Sequence, residues 1–215
     1  MKTNAPITCL FLDIGGVLLT NGWDHIFRKR AATHFKLDWA EMEERHSLNF
    51  ETHEEGRMTF KEYLDRVVFY KKRAFSRAEF RRFICAQTKS YQEMIQLIVE
   101  LKGRHTLKIV VVSNESRELN AYRIRTFKLD EWVDSFISSC YVQLRKPDKA
   151  IYRLALDIAQ TPIRQILYID NTAMFVKVAE SLGIRSILHT DYKSSRAKLA
   201  SLGLRTDIEL KKINL

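Results

Sequence analysis

The sequence predicts an α/β fold with a parallel sheet, and two features of the 215-residue chain lead to that prediction. Short apolar stretches alternate with helix-like segments after residue 105, an order typical of parallel strands joined by right-handed crossovers. Several of these stretches, such as residues 107–112, are apolar throughout, as in sheets that helices cover on both faces. Residues 21–104 read instead as consecutive helices, which indicates a helical insertion in the α/β core.

The first predicted strand covers residues 7–12 and ends at Asp13, where Gly15 and Gly16 allow a tight turn. Helices are then predicted over about 24–35, 38–53, 59–71, 76–88 and 90–102 from the spacing of their apolar residues. A capping box, in which a hydroxyl residue is followed three positions later by glutamate, marks the start of some of these helices. The pairs are Thr59/Glu62, Ser76/Glu79 and Ser90/Glu93.

Strands resume at residue 107, and further strands are predicted over 133–139, 165–169 and 184–188. Helices are predicted over about 115–127, from 148 to 159 after Pro147, over 172–182 with a stop at Gly183, and over 192–201. This pattern divides the chain into a core domain of residues 1–20 and 105–215 and an inserted helical domain of residues 21–104.

The chain has a net charge of +10 and a pI near 9.6, which favours anionic partners. Its basic clusters lie in helix-like stretches that also carry acids, and no nucleic-acid-binding motif is evident, so nucleic acid is not an expected partner. The first apolar run is too short to span a membrane. Cys9, Cys85 and Cys140 are scattered, which predicts reduced thiols in a cytoplasmic protein.

Polar residues stand where three of the predicted strands end: Asp13, then Ser113 with Asn114, then Asp170 with Asn171. Taken singly, each is explained by a turn or a helix cap. The carboxyl ends of parallel strands lie at one edge of a sheet, however, where ligands bind. We therefore expect these groups to converge, with Lys146 joining them from a loop.

These residue types suit phosphoryl transfer through a carboxylate, because aspartate can form an aspartyl-phosphate. Mg²⁺ held by Asp13, Asp170 and a main-chain carbonyl of the Gly15 turn would let two anions approach each other. Lys146 would neutralise the phosphate as a point charge, and Ser113 and backbone amides of the next helix would hold its remaining oxygens.

Four motifs in order resemble the haloacid dehalogenase-like hydrolase superfamily: FLDIGGVL (11–18), VSN (112–114), RKPD (145–148) and YIDN (168–171). The VAESLGI stretch (178–184) is similar as well. The resemblance implies a Rossmann-like three-layer core with a parallel β-sheet and an inserted α-helical cap domain of the first type. The stretch EGRMTFKEY (55–63) resembles the branch of sugar-phosphate phosphatases similar to glucose-1-phosphate phosphatase.

The resemblance implies a Mg²⁺-dependent phosphatase acting on a small phosphorylated metabolite, a sugar phosphate being one candidate, and leaves the oligomeric state open. It implies that Asp13 is the nucleophile and a metal ligand, and that Asp170 completes the metal site. Lys146 would steady the nucleophile and the phosphate. Phosphate would be bound by Ser113 and Asn114, and Asn171 would make an outer-sphere contact.

One departure concerns position 15, where most phosphatases of the superfamily carry a second aspartate that protonates the leaving group. Gly15 has no side chain for this, so Glu115, His25 or a residue delivered by the cap would have to replace it. Trp23, His25 and Arg117 are further candidates for substrate contact. Two alternatives remain open: a catalytically weak or inactive protein that binds a phosphorylated ligand, and a metal-free 2-haloacid dehalogenase.

Overall fold

The structure is a computed structural model that describes residues 5–207, and it confirms the predicted parallel sheet. Strands of these residues form one five-stranded sheet of order β3-β2-β1-β4-β5, in which every neighbouring pair is parallel. The strands are β1 (Cys9–Leu12), β2 (Lys108–Ser113), β3 (Ser135–Ser138), β4 (Ile166–Asp170) and β5 (Arg185–Leu188). Residues 1–4 and 208–215 of the predicted core domain lie outside the described residues.

The insertion is helical, as predicted. Its helices are α1 (His25–His34), α2 (Trp39–Ser47), α3 (Phe50–Glu54), α4 (Phe60–Val67) and α5 (Arg77–Ala86). Apolar side chains of α1, α2, α4 and α5 pack into a cluster of their own, separate from the clusters against the sheet. The insertion therefore has its own small core, and its bounds at residues 21 and 104 stay a prediction. We call it the cap.

Helices cover both faces of the sheet, which gives the expected three layers. The side chains of Leu10 and Leu12 on β1 face one way and pack with α6 and α11, whereas Cys9 and Phe11 face the other way and pack with α9 and α10. This alternation follows from the two-residue period of a strand. The core helices are α6 (Gln92–His105), α7 (Arg117–Thr126), α8 (Ser139–Val142), α9 (Lys149–Ala159), α10 (Ala173–Ser181) and α11 (Tyr192–Ser201), with 3-10 turns at Leu129–Glu131 and Ile163–Gln165.

The helix predicted over 38–53 is in fact two helices, because the chain breaks at Asn49 between α2 and α3. The Asn49 amide donates to the carbonyl of Arg45 at 2.8 Å, and its own backbone lies outside the helical region at φ −126°. Asparagine side chains that bond to nearby backbone in this way compete with helix continuation. The break lets α3 turn toward the core domain.

The prediction of a capping box at Ser90 was wrong, although the boxes at Thr59 and Ser76 are confirmed. Ser90 is bridged to Leu19 in an antiparallel β-bridge, and the amide of Tyr91 donates to the carbonyl of Leu18 at 2.9 Å. This long-range backbone pairing displaces the helix start, and α6 begins at Gln92 without a side-chain cap. Similarly, α4 ends at Val67 rather than near residue 71.

The cap is joined to the core by contacts of α3 and the turn that follows it. Arg145 of the core donates to Glu54 at 2.8 Å and to Glu51 at 3.1 Å, and the Ser139 hydroxyl donates to the carbonyl of Glu54 at 2.7 Å. Gly56 lies directly against the core, since a Cβ there would stand 2.1 Å from the carbonyl oxygen of Cys140. Its φ of +68° also favours glycine.

Replacing Gly56 with alanine is expected to destabilise the protein by about 1–3 kcal/mol or more. The new methyl group would collide with backbone atoms, and the position has a left-handed φ that alanine rarely adopts. Urea denaturation would measure the change. The control is Gly103→Ala in α6, where a Cβ would meet nothing within 4 Å. That variant should gain up to about 1 kcal/mol from the higher helix propensity of alanine. Equal stability changes in the two variants would contradict the described contact between Gly56 and Cys140.

Among the helices of residues 5–207, none combines the length and the apolar composition that crossing a membrane would require.

Candidate active site

Polar side chains from the ends of β1, β2 and β4 converge at one edge of the sheet, as the sequence predicts. The Ser113 hydroxyl donates to Asp13 Oδ1 at 2.7 Å. The Lys146 ammonium lies between two carboxylates, 3.0 Å from Asp13 Oδ1 and 2.6 Å from Asp170 Oδ2. All four side chains are buried. The strand order places β1 between β2 and β4, and this arrangement brings the groups together.

Lys146 is positioned by the side chain of Asn114, which bonds to both the backbone N–H and the backbone carbonyl of Lys146. The Lys146 amide donates to Asn114 Oδ1 at 2.8 Å, and the Asn114 side-chain nitrogen donates to the Lys146 carbonyl at 2.9 Å. Burial lowers the pKa of the ammonium, but the carboxylates of Asp13 and Asp170 outweigh it, and the pKa lies above its ordinary value. Lys146 is therefore a fixed positive charge. The predicted contact of Asn114 with phosphate stays a prediction.

The two carboxylates have different surroundings. Asp170 is fully enclosed and accepts hydrogen bonds from the Thr172 amide at 2.7 Å and from the Tyr168 hydroxyl, besides the ammonium. Asp13 borders open space instead. Burial raises the pKa of Asp13, while Lys146 and the Ser113 hydroxyl oppose that rise. Asp170 is thus held in place by its neighbours, and Asp13 is the carboxylate that borders the cavity.

The turn after β1 packs against the turn after β4. Gly16 has φ +77°, and a Cβ there would stand 2.0 Å from the side-chain nitrogen of Asn171. The left-handed φ favours glycine, and any larger residue would have to displace the Asn171 side chain. The amide of Asn171 thereby stands beside the turn that carries Gly15, and both residues border the same cavity.

A cavity of about 470 Å³ opens over Asp13 between the core and the cap. Core residues on its wall include Gly15, Asn114, Glu115, Lys146 and Asn171. The cap supplies the opposite wall with Trp23, Asp24, Arg28, Glu43, His46, Phe50, His53 and Glu54. The cluster of polar side chains around Asp13 therefore lies at the bottom of a cleft whose far wall belongs to the insertion.

Charged groups on the cap wall are already paired. Arg28 donates to both oxygens of Glu43, at 2.9 and 2.5 Å, and to the carbonyl of Trp23 at 2.6 Å. Trp23 donates to the Tyr63 hydroxyl at 2.7 Å, and that hydroxyl lies 2.7 Å from His46 Nδ1. Burial, and then the charge of Arg28, lower the pKa of His46 to about 4. The ring is thus neutral in the folded protein at neutral pH.

This neutral imidazole predicts an acid-sensitive contribution to stability. The folded-state pKa of His46 lies below its ordinary 6.5, so stability is present above pH 6.5 and is lost as pH falls toward about 4. Between pH 7 and pH 4, wild type should lose up to about 3 kcal/mol more free energy of unfolding than His46→Gln. Urea denaturation at both pH values measures this. The exposed His25→Gln variant serves as the control, and parallel curves for His46→Gln and wild type would refute the effect.

Glu115 forms a buried ion pair with Arg123, which the sequence alone did not reveal. Guanidinium nitrogens of Arg123 donate to Glu115 and to the carbonyl of Thr20, and both side chains are almost fully enclosed. Burial raises the pKa of Glu115 to about 7 despite the opposing charge of Arg123. The available signal was the position of Arg123 four residues after Leu119, on the buried side of α7. Arg28, Glu43 and Arg145 were also missed.

Two predicted substrate contacts do not line the cavity. The side chain of His25 is 65% exposed and packs edge-on against Trp39, with ring centroids 4.9 Å apart. Arg117 donates to the carbonyl of Cys140 at 2.9 Å and lies over the ring of Tyr141. Trp23, the third of these candidates, does line the cavity.

The parallel sheet and its helices define an α/β protein. Its cavity lies at the carboxyl ends of the strands, which is where ligands bind in proteins with such sheets. The chain belongs to the haloacid dehalogenase-like hydrolases, because the model of that family matches residues 7–197. The family resemblance predicted from the four motifs is thereby confirmed. The finer resemblance of residues 55–63 to the glucose-1-phosphate phosphatase-like branch stays a prediction.

Curated relatives match only in part. Drimenol cyclase drtB of Aspergillus calidoustus is 33% identical over 85 residues, which are 39% of this chain and 16% of the relative. Bifunctional epoxide hydrolase 2 of Sus scrofa is 26% identical over 109 residues, 49% of this chain and 20% of the relative. The chain thus spans at most a fifth of the length of these two relatives.

A solved structure is similar over most of the chain. The HAD family enzyme bt-2542 of Bacteroides thetaiotaomicron, in complex with magnesium and inorganic phosphate, has a TM-score of 0.71 and 21% identity. The likeness covers 86% of this chain and 94% of that one. It establishes that the two proteins share a fold.

Proposed function

We propose that the chain is a Mg²⁺-dependent phosphomonoesterase that hydrolyses a small phosphorylated metabolite through an aspartyl-phosphate on Asp13. One observation carries the proposal: Asp13, Ser113, Lys146 and Asp170 meet within hydrogen-bond distance at the floor of one cavity. The similar fold of the bt-2542 enzyme, whose complex holds magnesium and inorganic phosphate, supports it.

The carboxylates of the site fit Mg²⁺. Asp13 and Asp170 face the same ammonium, so their oxygens already converge on one cation. No group of three or more His, Cys, Asp or Glu side chains suited to a metal occurs within residues 5–207. Mg²⁺ needs no such cage, since it binds one or two carboxylates together with water and substrate phosphate. Asp13, Asp170 and the carbonyl of Gly15 would hold it, and it would neutralise phosphate charge.

The residues of the site then divide the reaction between them. An oxygen of Asp13 attacks phosphorus, the bond to the leaving oxygen breaks, and the phosphoryl group is transferred to Asp13. Lys146 and the Ser113 hydroxyl stabilise the phosphoryl oxygens from fixed positions. Water then cleaves the aspartyl-phosphate and releases inorganic phosphate. The cap wall encloses the substrate and limits the access of bulk water to this intermediate.

The far wall favours an uncharged leaving group. The guanidinium groups of Arg28 and Arg145 are each bonded to a carboxylate, and the imidazole of His46 is neutral. These three groups can form hydrogen bonds with the part of the substrate beyond the phosphate. None of them offers an unpaired positive charge to a second anionic group on the substrate. A phosphorylated metabolite with a hydroxylated remainder, such as a sugar phosphate, fits this wall.

A panel of phosphorylated metabolites, assayed for phosphate release with and without Mg²⁺, tests the proposal. We expect Mg²⁺-dependent release from at least one monoester, and loss of release on addition of EDTA. Binding of a phosphorylated ligand without turnover of any ester would favour the alternative of an inactive binding protein. The absence of a side chain at Gly15 is the feature of the sequence that supports this alternative. Chloride release from a 2-haloacid without Mg²⁺ would favour a dehalogenase, although Asp170 would then be a needless anion beside the nucleophile.

A further inference from the structure

A buried carboxylate is linked through one guanidinium group to the position where the site lacks a side chain. A Cβ built on Gly15 would stand 3.9 Å from Nη1 of Arg123, and that same nitrogen donates to Oε1 of Glu115. Gly15, Glu115 and Arg123 line the cavity together with Asp13. The guanidinium therefore connects the empty space at position 15 with the carboxylate of Glu115.

Contacts on several sides fix this pair in place. The amide of Glu115 donates to the Ser139 hydroxyl at 2.9 Å, and Arg123 donates to the carbonyl of Thr20 in the segment that leads into the cap. A buried ion pair adds little net stability, because desolvation offsets the attraction between the charges. Stability alone thus does not account for a fixed carboxylate in the wall of the active-site cavity.

We propose that Glu115 is the general acid and base of the phosphatase reaction, in place of the missing side chain at position 15, and that Arg123 positions it. The inference rests on the proposed function. His25, the other candidate from the sequence, does not line the cavity and is largely exposed.

The proton balance of the reaction is complete with Glu115 in this role. When Asp13 attacks phosphorus, the bond to the leaving oxygen breaks and that oxygen takes the proton of Glu115. The carboxylate of Glu115 then takes a proton from water as the water oxygen attacks phosphorus. The bond between phosphorus and Asp13 breaks, inorganic phosphate leaves, and both residues return to their starting states.

The surroundings of Glu115 suit a group that must exchange a proton near neutral pH. Burial raises its pKa to about 7, Asp13 and Glu54 add to the rise, and Arg123 and Lys146 oppose it. An acid of this pKa is protonated in part of the molecules at pH 7 and can act in both directions. The groups that face it from the neighbouring elements are Arg123 on α7, Asp13 after β1, Glu54 on α3, Lys146 before α9 and the Cys140 thiol on α8.

Two aryl phosphates test the role in the wild-type protein with Mg²⁺. Nitrophenolate leaves p-nitrophenyl phosphate as a stable anion, whereas the leaving group of phenyl phosphate needs a proton. The ratio of kcat/KM for phenyl phosphate to kcat/KM for p-nitrophenyl phosphate should therefore fall as pH rises above about 7, tenfold per pH unit. A ratio that stays constant from pH 6 to pH 9 would overturn the proposal, while the phosphatase function would stand.

Variants give the second test. Glu115→Gln should lower kcat for phenyl phosphate by about 10²–10⁴-fold. With p-nitrophenyl phosphate it should give a burst of one nitrophenolate per molecule followed by slow turnover. Glu118→Gln, three residues further along at the start of α7, is the matched control, because Glu118 does not line the active-site cavity. A folded Glu115→Gln variant with wild-type kcat for phenyl phosphate would overturn the assignment, and if this variant does not fold, the pH ratio decides.

Rescue separates catalysis from mere structural support. Gly15 does not have a left-handed φ, and a Cβ there would meet only side-chain and Cα atoms at 3.3 Å or more. An aspartate can thus be introduced opposite Arg123. We expect Gly15→Asp/Glu115→Gln to recover at least tenfold of the kcat lost in Glu115→Gln. Absence of recovery in the folded double variant would contradict the placement of Glu115, and absence of any esterase activity in wild type would remove the proposed function itself.

Discussion

The Asp13→Asn variant is expected to lose at least about 10⁴-fold in kcat for phosphate release, the largest functional effect of any single change in the chain. Asparagine keeps the shape of the side chain but lacks a nucleophilic carboxylate. The Ser113 hydroxyl and the Lys146 ammonium would face an amide in place of the charge they now contact. Steady-state assays with Mg²⁺ at saturating p-nitrophenyl phosphate would measure the loss.

The fold should survive this change. Lys146 retains Asp170 at 2.6 Å as a partner, so no buried charge is left without one. The midpoint of urea denaturation should therefore stay close to that of wild type. Asp157→Asn, at an exposed position of α9, is the control and should keep full activity. Comparable turnover by Asp13→Asn and wild type would contradict the role of Asp13 as nucleophile.

Lys146→Met is expected to give the largest loss of stability, about 3–5 kcal/mol, because it removes the cation between two buried carboxylates. Asp13 and Asp170 would then face each other without an ammonium. Burial and the charge of Asp170 raise the pKa of Asp13, and loss of Lys146 removes the strongest group that opposes this rise. Stability of the variant should thus be greatest at low pH, and it should be lost as pH rises through the raised folded-state pKa of Asp13.

Urea denaturation at pH 5 and pH 8 measures this effect. The matched control is Lys149→Met, three residues further along the chain and exposed at the start of α9. It should stay within about 0.5 kcal/mol of wild type. Addition of Mg²⁺ should restore part of the stability of Lys146→Met, since a divalent cation can replace the ammonium between the carboxylates. A Lys146→Met variant as stable as wild type at pH 8 would show that the two carboxylates do not depend on Lys146.

The sequence could predict the floor of the site because strand ends determine it. Asp13, Ser113 and Asp170 each follow an apolar run, and strand directionality alone brings them to one edge. The displaced start of α6 near Ser90 could not be predicted, because it depends on a backbone pairing with Leu19 that exists only in the folded chain. Tertiary contacts override local preferences at such positions. The break at Asn49 depends on a local bond from its side chain to the carbonyl of Arg45, which the spacing of apolar residues does not reveal.

The cap wall and the ion pair of Glu115 and Arg123 could not be predicted from the sequence for a related reason. Whether the side chain of Arg123 turns inward depends on how α7 rotates against the segment around Thr20. The same applies to His25, which was expected near the substrate. It occupies the first position of α1, where its side chain points outward and packs against Trp39. The spacing of residues along the sequence shows which helix a residue belongs to. Packing against the rest of the protein determines whether its side chain faces the site or the solvent.

Detection of a covalent phosphoryl group on Asp13 tests the central claim most directly. Wild type mixed with Mg²⁺ and p-nitrophenyl phosphate, stopped with acid within milliseconds and digested, should yield the peptide that contains Asp13 with the added mass of one phosphoryl group. The same peptide from Asp13→Asn should lack it. Phosphate release without any phosphorylated Asp13 peptide, or with the label on another residue, would contradict the proposed mechanism.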